Sequence, residues 1–195
     1  MLVGRQHLDR GSGIGSAGTA SHFGLAAGTI RGVELQEGLV DHALFCVIKY
    51  GSTDTSFGYG TRVSDEENGT YVYPAEYGDA RAPAEFREVP PMGARLWLEM
   101  TREEIEALRV AAWKKTVLRA LATYGAYFGD TGGPGVGFQF ESGTTYTSFG
   151  VTDPIVAYAA DHGVTYYAPD DVYVFKLSED VPWAERLRVV IPPRP

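Results

Sequence analysis

The segment Val40–Tyr50 constrains the fold of this chain more than any other, because its apolar residues continue over a full strand length. One face of the predicted strand carries Val, His, Leu, Cys, Ile and Tyr, and the other carries Asp, Ala, Phe and Val. A strand with one face in water shows apolar residues mainly on its other face. Both faces are apolar here, so the sequence predicts an interior strand covered on both sides.

Other segments with alternating or short apolar patterns predict further strands. The 24 glycines, 11 prolines and 12 tyrosines among 195 residues also favour turns and strands over helix bundles. The turn residues Asp130–Gly135 predict that the segments around them form a hairpin. The additional predicted strands are Tyr71–Tyr73, Gly93–Met100, 127–128, 136–141, Val172–Leu177 and Leu187–Ile191.

One helical segment is predicted over residues 102–124. Thr101 and Glu104 have the spacing of a capping box, and apolar residues continue at helical spacing until Gly125. The apolar stripe shifts near Arg109, which indicates a bend or two helices. The fold class is therefore predicted to be mainly β (α+β): an antiparallel β-sandwich or jelly-roll-like domain with this helical segment packed on a sheet.

The chain is predicted to consist of a flexible, Gly-rich N-terminal arm at 1–24 and a single domain at 25–195. Gly13–Gly18 matches G-x-G-x-x-G, but no predicted strand precedes it and no amphipathic helix follows. A flexible loop is favoured over a nucleotide site for this reason. No apolar run reaches the ~18 residues of a membrane span, so no membrane insertion is expected.

The charge of the chain excludes some partners. Lys and Arg total 17 against 25 Asp and Glu, which gives a net charge of −8. An acidic protein repels phosphate backbones, so nucleic acid is not an expected partner. The single cysteine, Cys46, is expected to be a buried apolar residue, and the four histidines lack metal-ligand spacing. We expect neither a metal nor a cofactor.

Four polar residues are the candidates for catalysis: Asp41, His42, Asp130 and Glu141. Histidine changes its charge near neutral pH, so His42 is a candidate general base or ligand contact, and a buried, hydrogen-bonded histidine is the alternative. Asp130 and Glu141 flank the predicted hairpin. Paired strands would bring them to the roughly 5–10 Å separation that glycoside hydrolysis uses. A turn residue and a solvated strand end are the alternative for this pair.

Tyrosines are concentrated in the Gly-rich region after the predicted interior strand. We predict that Tyr50, Tyr59, Tyr71 and Tyr73 bind substrate, because exposed rings stack on sugars or pack against a protein partner. Core positions in strands are the alternative for part of this set.

Four segments resemble a group of bacterial, often exported proteins with no established activity. Gly28–Leu44 is similar to their GLIR-x-x-EL-x-x-G-x-IDHAL stretch, and Tyr73–Ala75 to their YPA element. Pro91–Leu96 and Tyr124–Gly133 resemble their P-x-G-x-R-L and RYG-x-x-x-D-x-GG elements. The resemblance implies a β-sandwich-like, exported protein. Its members usually carry another stretch before this segment, so a truncated start or a missing N-terminal half is expected here.

Two functions are expected from the sequence. The first is an extracytoplasmic carbohydrate-active protein that binds or cleaves a polysaccharide through a tyrosine-lined groove near the four polar residues. The alternative is a non-enzymatic structural or assembly subunit whose N- and C-terminal arms hold a protein partner or another copy of the chain. Both predict a secreted or cell-surface location, and whether the chain is an enzyme stays open.

Overall fold

The computed structural model describes residues 19–54, 59–62, 68–78, 89–133, 135–141, 143–168 and 174–190. Gly13–Gly18 lies outside these residues. The strands are β1 (Leu44–Ile48), β2 (Tyr59–Arg62), β3 (Asn68–Tyr71), β4 (Arg95–Leu98), β5 (Ala126–Thr131), β6 (Val136–Phe138), β7 (Tyr166–Tyr167), β8 (Val174–Phe175) and β9 (Leu187–Val190). The helices are α1 (Gly32–Glu37), α2 (Arg102–Ala107), α3 (Ala112–Thr123), α4 (Thr144–Ser148), α5 (Pro154–His162) and α6 (Trp183–Arg186), preceded by a 3-10 helix at Leu25–Gly28.

Five strands form one mixed sheet in the order β6-β1-β5-β4-β9. β1 and β5 run parallel, whereas the remaining neighbours run antiparallel. Parallel neighbours need a long crossover, and the chain between these two strands includes α2 and α3. β2 with β3, and β7 with β8, form two-stranded sheets. The protein is therefore α+β, and it differs from the expected antiparallel sandwich in this parallel pair.

β1 is the interior strand that the sequence predicts. It lies between β5 and β6, and Leu44, Phe45, Cys46 and Ile48 are buried. Consecutive strand residues point to opposite faces, so burial of three in a row requires cover on both sides. The ring of Phe45 packs edge-on against Phe23, with 6.4 Å between centroids. The prediction of a strand covered on both faces is confirmed.

The predicted helical segment is two helices, α2 and α3, with a break between them. The Glu104 amide donates to Thr101 Oγ1 at 3.2 Å, and the Thr101 amide donates to Glu104 Oε2 at 2.8 Å. This capping box is the one that the sequence predicts. α3 then buries Trp113, Val117 and Leu121, which lie at helical spacing.

The sequence prediction misses the remaining helices. α5 has clear end signals: Asp153 Oδ1 accepts from the amides of Ile155 and Val156, Pro154 is the first helical residue, and Gly163 follows with a φ of 63°. Aspartate before a proline and glycine after the last turn are typical helix boundaries. These signals would have predicted α5.

The predicted hairpin around Asp130–Gly135 is wrong. β5 and β6 do not pair with each other, because β1 lies between them and pairs with both. The chain leaves β5, passes the end of β1 and returns on its other side. Asp130 therefore lies opposite Val47 of β1, and paired strands do not bring it to Glu141.

The end of the predicted N-terminal arm, residues 19–24, contacts the sheet. Ser21 and Phe23 are buried, and the Ser21 amide donates to Gly129 O of β5 at 3.1 Å. The Glu76 amide in turn donates to Ser21 O at 3.2 Å. Residues 19–24 thus pack on the sheet, and residues 1–18 of the predicted arm lie outside the described part of the chain.

Candidate functional site

His42 is held by a carboxylate of α1. Its Nε2 lies 3.1 Å from Glu34 Oε1, and its Nδ1 lies 2.9 Å from Ala43 O. Glu34 is buried and also contacts the Arg31 guanidinium at 2.7 Å. Both ring nitrogens therefore face acceptor oxygens. This arrangement ties the start of β1 to α1, whereas the neighbouring Asp41 is exposed.

Glu141 also contacts α1. Its Oε1 accepts from the Gly32 amide at the start of α1, and its Oε2 accepts from the Tyr146 hydroxyl at 3.1 Å. The bond and the negative charge of Glu141 raise the pKa of Tyr146 above the ordinary tyrosine value. His42 and Glu141 are thus both connected to α1, and Asp130 lies on β5.

Of the four predicted tyrosines, Tyr50 follows β1, and the other three lie in or next to the β2–β3 sheet. Tyr59 and Tyr71 are cross-strand neighbours in β2 and β3, and Tyr73 follows with 72% of its side chain exposed. Tyr50 is half-buried near the end of β1, with Lys49 Nζ 4.9 Å from its ring centroid. The side chain of Tyr59 lies outside the described part of the chain. Tyr50, Tyr71 and Tyr73 do not line the groove beside β6.

A concave surface runs beside strand β6, and we call it the β6 groove. Its volume is about 1110 Å³, slightly above the roughly 300–1,000 Å³ typical of small-molecule pockets. One wall is β6 with the residues around it, and the other is β8 with Lys176 to Glu179. Glu141 and Asp153 also line it. The aromatic lining residues are Phe138, Phe140 and Phe175.

Among the described strands, β6 lies at one edge of the five-stranded sheet, and its unpaired side faces away from β1. The Lys49 amide donates to Gly135 O at 3.2 Å, and the Gln139 amide donates to Phe45 O at 3.1 Å. In an antiparallel pair, alternate residues bond to the partner and the residues between them point the other way. Val136 and Phe138 therefore direct their N–H and C=O groups outward, where no described strand is paired.

Open space adjoins the glycines along this edge. A Cβ atom added at Gly133, Gly135 or Gly137 would meet no atom within 4 Å. Strand glycines often mark a place where another backbone approaches closely. Glycine alternates with apolar residues from 135 to 138, and this pattern is the sequence signal for the edge. The sequence prediction did not include an edge strand here.

The opposite wall is anchored to the core by aromatic contacts. The Phe175 ring lies 5.6 Å from the ring of Phe140 and 5.6 Å from that of Trp113 on α3. Lys114 Nζ donates to Glu179 O at 3.1 Å. Since both the β8 wall and β6 are fixed to buried elements, the groove is formed before any partner binds.

Large apolar side chains are exposed on elements that border the groove. α4 contributes Thr147 to the lining and is followed by Phe149 and Val151, of which Phe149 is 81% exposed. The β7–β8 pair exposes Tyr167 and Val174. Large exposed apolar side chains beside a groove are candidates for contacts with a partner.

A comparison with protein families, with curated proteins and with solved structures found no match to this chain. The resemblance to the exported bacterial proteins therefore stays a prediction.

Two classes of site are absent from the described residues. Those residues contain no group of three or more His, Cys, Asp or Glu side chains that could hold a metal ion. Cys46 is buried, and burial raises the pKa of its thiol, so it does not supply a reactive thiolate. In the same residues, none of the helices is both long and apolar enough to cross a membrane.

Proposed function

We propose that this protein is a non-enzymatic interaction protein that binds an extended polypeptide segment in the β6 groove. The observation that carries the proposal is the outward-facing N–H and C=O groups of Val136 and Phe138, on the edge of β6 with which no other described strand pairs. An extended peptide that lies along such an edge adds one strand to the sheet, and its main chain supplies affinity. The unpaired N–H and C=O groups of a strand edge have the same spacing as those of another strand, and this favours an extended peptide as the partner.

The shape and lining of the groove support the same partner. The glycines beside β6 leave room for a second backbone, and the aromatic rings of Phe138, Phe140 and Phe175 offer apolar contacts for alternate side chains. The exposed Phe149 beside α4 extends this apolar surface. The partner can be a different protein or a segment of another copy of this chain, which agrees with the assembly function expected from the sequence.

The test uses a displayed library of random peptides selected against the full chain. An enriched peptide is then measured by calorimetry with the Val136→Pro and Val136→Ala variants. Proline removes the outward N–H donor but leaves the ladder between β6 and β1 intact, since that N–H points away from β1. We expect about tenfold weaker binding for Val136→Pro, equivalent to about 1.4 kcal/mol, and near wild-type binding for Val136→Ala.

Failure of the library to yield any binding peptide would contradict the proposal. So would a peptide that binds Val136→Pro as well as it binds the wild type. Circular dichroism and urea unfolding of both variants separate a lost contact from a lost fold.

A polysaccharide ligand is the second candidate, and the exposed ring of Tyr73 favours it. In the same stretch of the chain, the ring of Tyr77 stacks on that of His22 with 5.1 Å between centroids. Planar rings of this kind are suited to the faces of sugar rings. Binding to a glycan array and release of reducing ends are the measurements. Loss of glycan binding in Tyr73→Ala supports this candidate, and silence across cell-wall and plant polymers rejects it.

We also propose a secreted or cell-surface location, on the basis of the resemblance to exported proteins. Fractionation of cells that express the complete natural gene tests it. Recovery of the protein with the cytoplasmic fraction alone would reject this location.

A further inference from the structure

A second cavity lies where the connection between α1 and β1 meets α2 and α3. Its volume is about 440 Å³, within the roughly 300–1,000 Å³ typical of small-molecule pockets. The charged side chains that line it are those of Arg102 and Arg119, and its lining includes no carboxylate. The whole chain has a net charge of −8, so two arginines without an acidic lining residue stand out from the rest of the molecule.

Arg119 is fixed at the wall of this cavity by three contacts. Its Nη1 donates to Glu106 Oε1 at 2.6 Å, and its Nη2 donates to Gly38 O at 3.0 Å and to Thr116 Oγ1 at 3.1 Å. The bond from Arg119 lowers the pKa of Glu106, which pairs with Arg119 beside the cavity but is not one of its lining residues. A guanidinium has five N–H donors, so these contacts leave Arg119 able to bind a further acceptor.

Arg102 supplies a second positive charge from the first turn of α2, where its side chain is exposed. Thr123 and Tyr124 add residues with hydroxyl groups at the end of α3. The apolar part of the lining includes Leu39, which is 59% exposed, and the buried Ile105. The cavity thus combines arginine donors, which match carboxylate and phosphate oxygens, with an apolar surface beside them.

We propose that this cavity binds a small organic anion. Its carboxylate or phosphate group contacts Arg102 and Arg119, and its apolar body lies against Leu39 and Ile105. This site is independent of the β6 groove, because the two cavities share none of their lining residues.

The probes are benzoate, phenyl phosphate and the neutral benzyl alcohol, titrated into the full chain and followed by chemical shifts in NMR spectra. We expect both anions to shift amide signals of α2 and α3 at millimolar concentrations, and benzyl alcohol to bind much more weakly. Binding should also weaken as salt is added, because the arginines are partly exposed. The tighter of the two anions shows which acidic group the cavity prefers.

Arg102→Gln is the decisive variant, and Arg188→Gln is its matched control. Arg188 is also exposed and pairs with Glu99, and neither residue lines the cavity. We expect Arg102→Gln to weaken anion binding about tenfold, and Arg188→Gln to leave it unchanged. Equal binding by wild type and Arg102→Gln, equal binding of the neutral alcohol, or no binding of either anion at millimolar concentrations would overturn the proposal.

Discussion

The carboxylate of Glu141, which lines the β6 groove, contacts residues of two helices. It follows β6, accepts the Gly32 amide of α1 and accepts the hydroxyl of Tyr146 on α4. A residue held in this way on both oxygens is placed by the fold. It therefore sets the local geometry and charge of the groove, whether or not a partner contacts it.

We predict that Glu141→Gln lowers the pKa of Tyr146 toward the ordinary tyrosine value. The raised pKa comes first from the bond to Glu141 and then from its charge, and both disfavour the phenolate. The variant removes the charge. The measurement is a pH titration of the ring carbons by NMR, with Glu76→Gln as an exposed control. An unchanged titration of Tyr146 would contradict the arrangement.

The same contact has a defined effect on stability. A folded-state pKa above the unfolded one means that the contact stabilises the protein at pH values below the ordinary tyrosine pKa. This contribution is lost as the pH rises through the raised pKa of Tyr146. The difference in unfolding free energy between wild type and Glu141→Gln should therefore shrink in alkaline solution.

His42 gives a second prediction at the level of one residue. His42→Ala removes the ring that bonds buried Glu34, so we expect the free energy of unfolding to fall by about 1–3 kcal/mol. The adjacent Asp41 is exposed, and Asp41→Ala should change it by less than about 0.5 kcal/mol. Urea unfolding measures both. Equal effects of the two substitutions would mean that the contact between His42 and Glu34 does not stabilise the fold.

Elements whose signals are local could be predicted from the sequence. The apolar run of β1 and the capping box at Thr101 each lie within a few residues, and both elements form as predicted. The pairing of β5 and β6 was not local. A short Gly-rich turn suggested a hairpin, but the apolar β1 occupies the position between these strands. Which strand lies between two others depends on contacts that no turn motif encodes.

The N-terminus of α5 provides a prediction for one element. Asp153 is buried, and its Oδ1 accepts from two backbone amides of the first turn. Asp153→Ala leaves those amides without this acceptor and should lower the free energy of unfolding by about 0.5–2 kcal/mol. Asp153→Asn keeps an oxygen acceptor and should cost less. Thermal or urea unfolding of the two variants tests the order, and a larger loss for the asparagine variant would contradict it.

At the scale of the whole molecule, the four polar residues predicted for catalysis lie in three different parts of the fold. Glu141 does border a groove, but Asp130 lies on β5 and Asp41 is exposed. The groove itself comes from the sheet order, which places β6 at an edge, and from the position of β8 across from it. Distances between such segments follow from the complete topology, so residue types alone could not indicate them.

The sheet order also predicts a gradient of protection from hydrogen exchange. Amides of β1 and β5 lie in interior strands with buried side chains, so they should exchange slowest. The outward amides of Val136 and Phe138 should exchange fast in the free protein. A peptide bound along β6 should slow hydrogen exchange at these two amides, because its carbonyl groups accept hydrogen bonds from them. Exchange in the opposite edge strand, β9, should not change. The measurement is exchange followed by NMR, with and without peptide. Slow exchange at Val136 and Phe138 in the free protein would show that the edge is already covered.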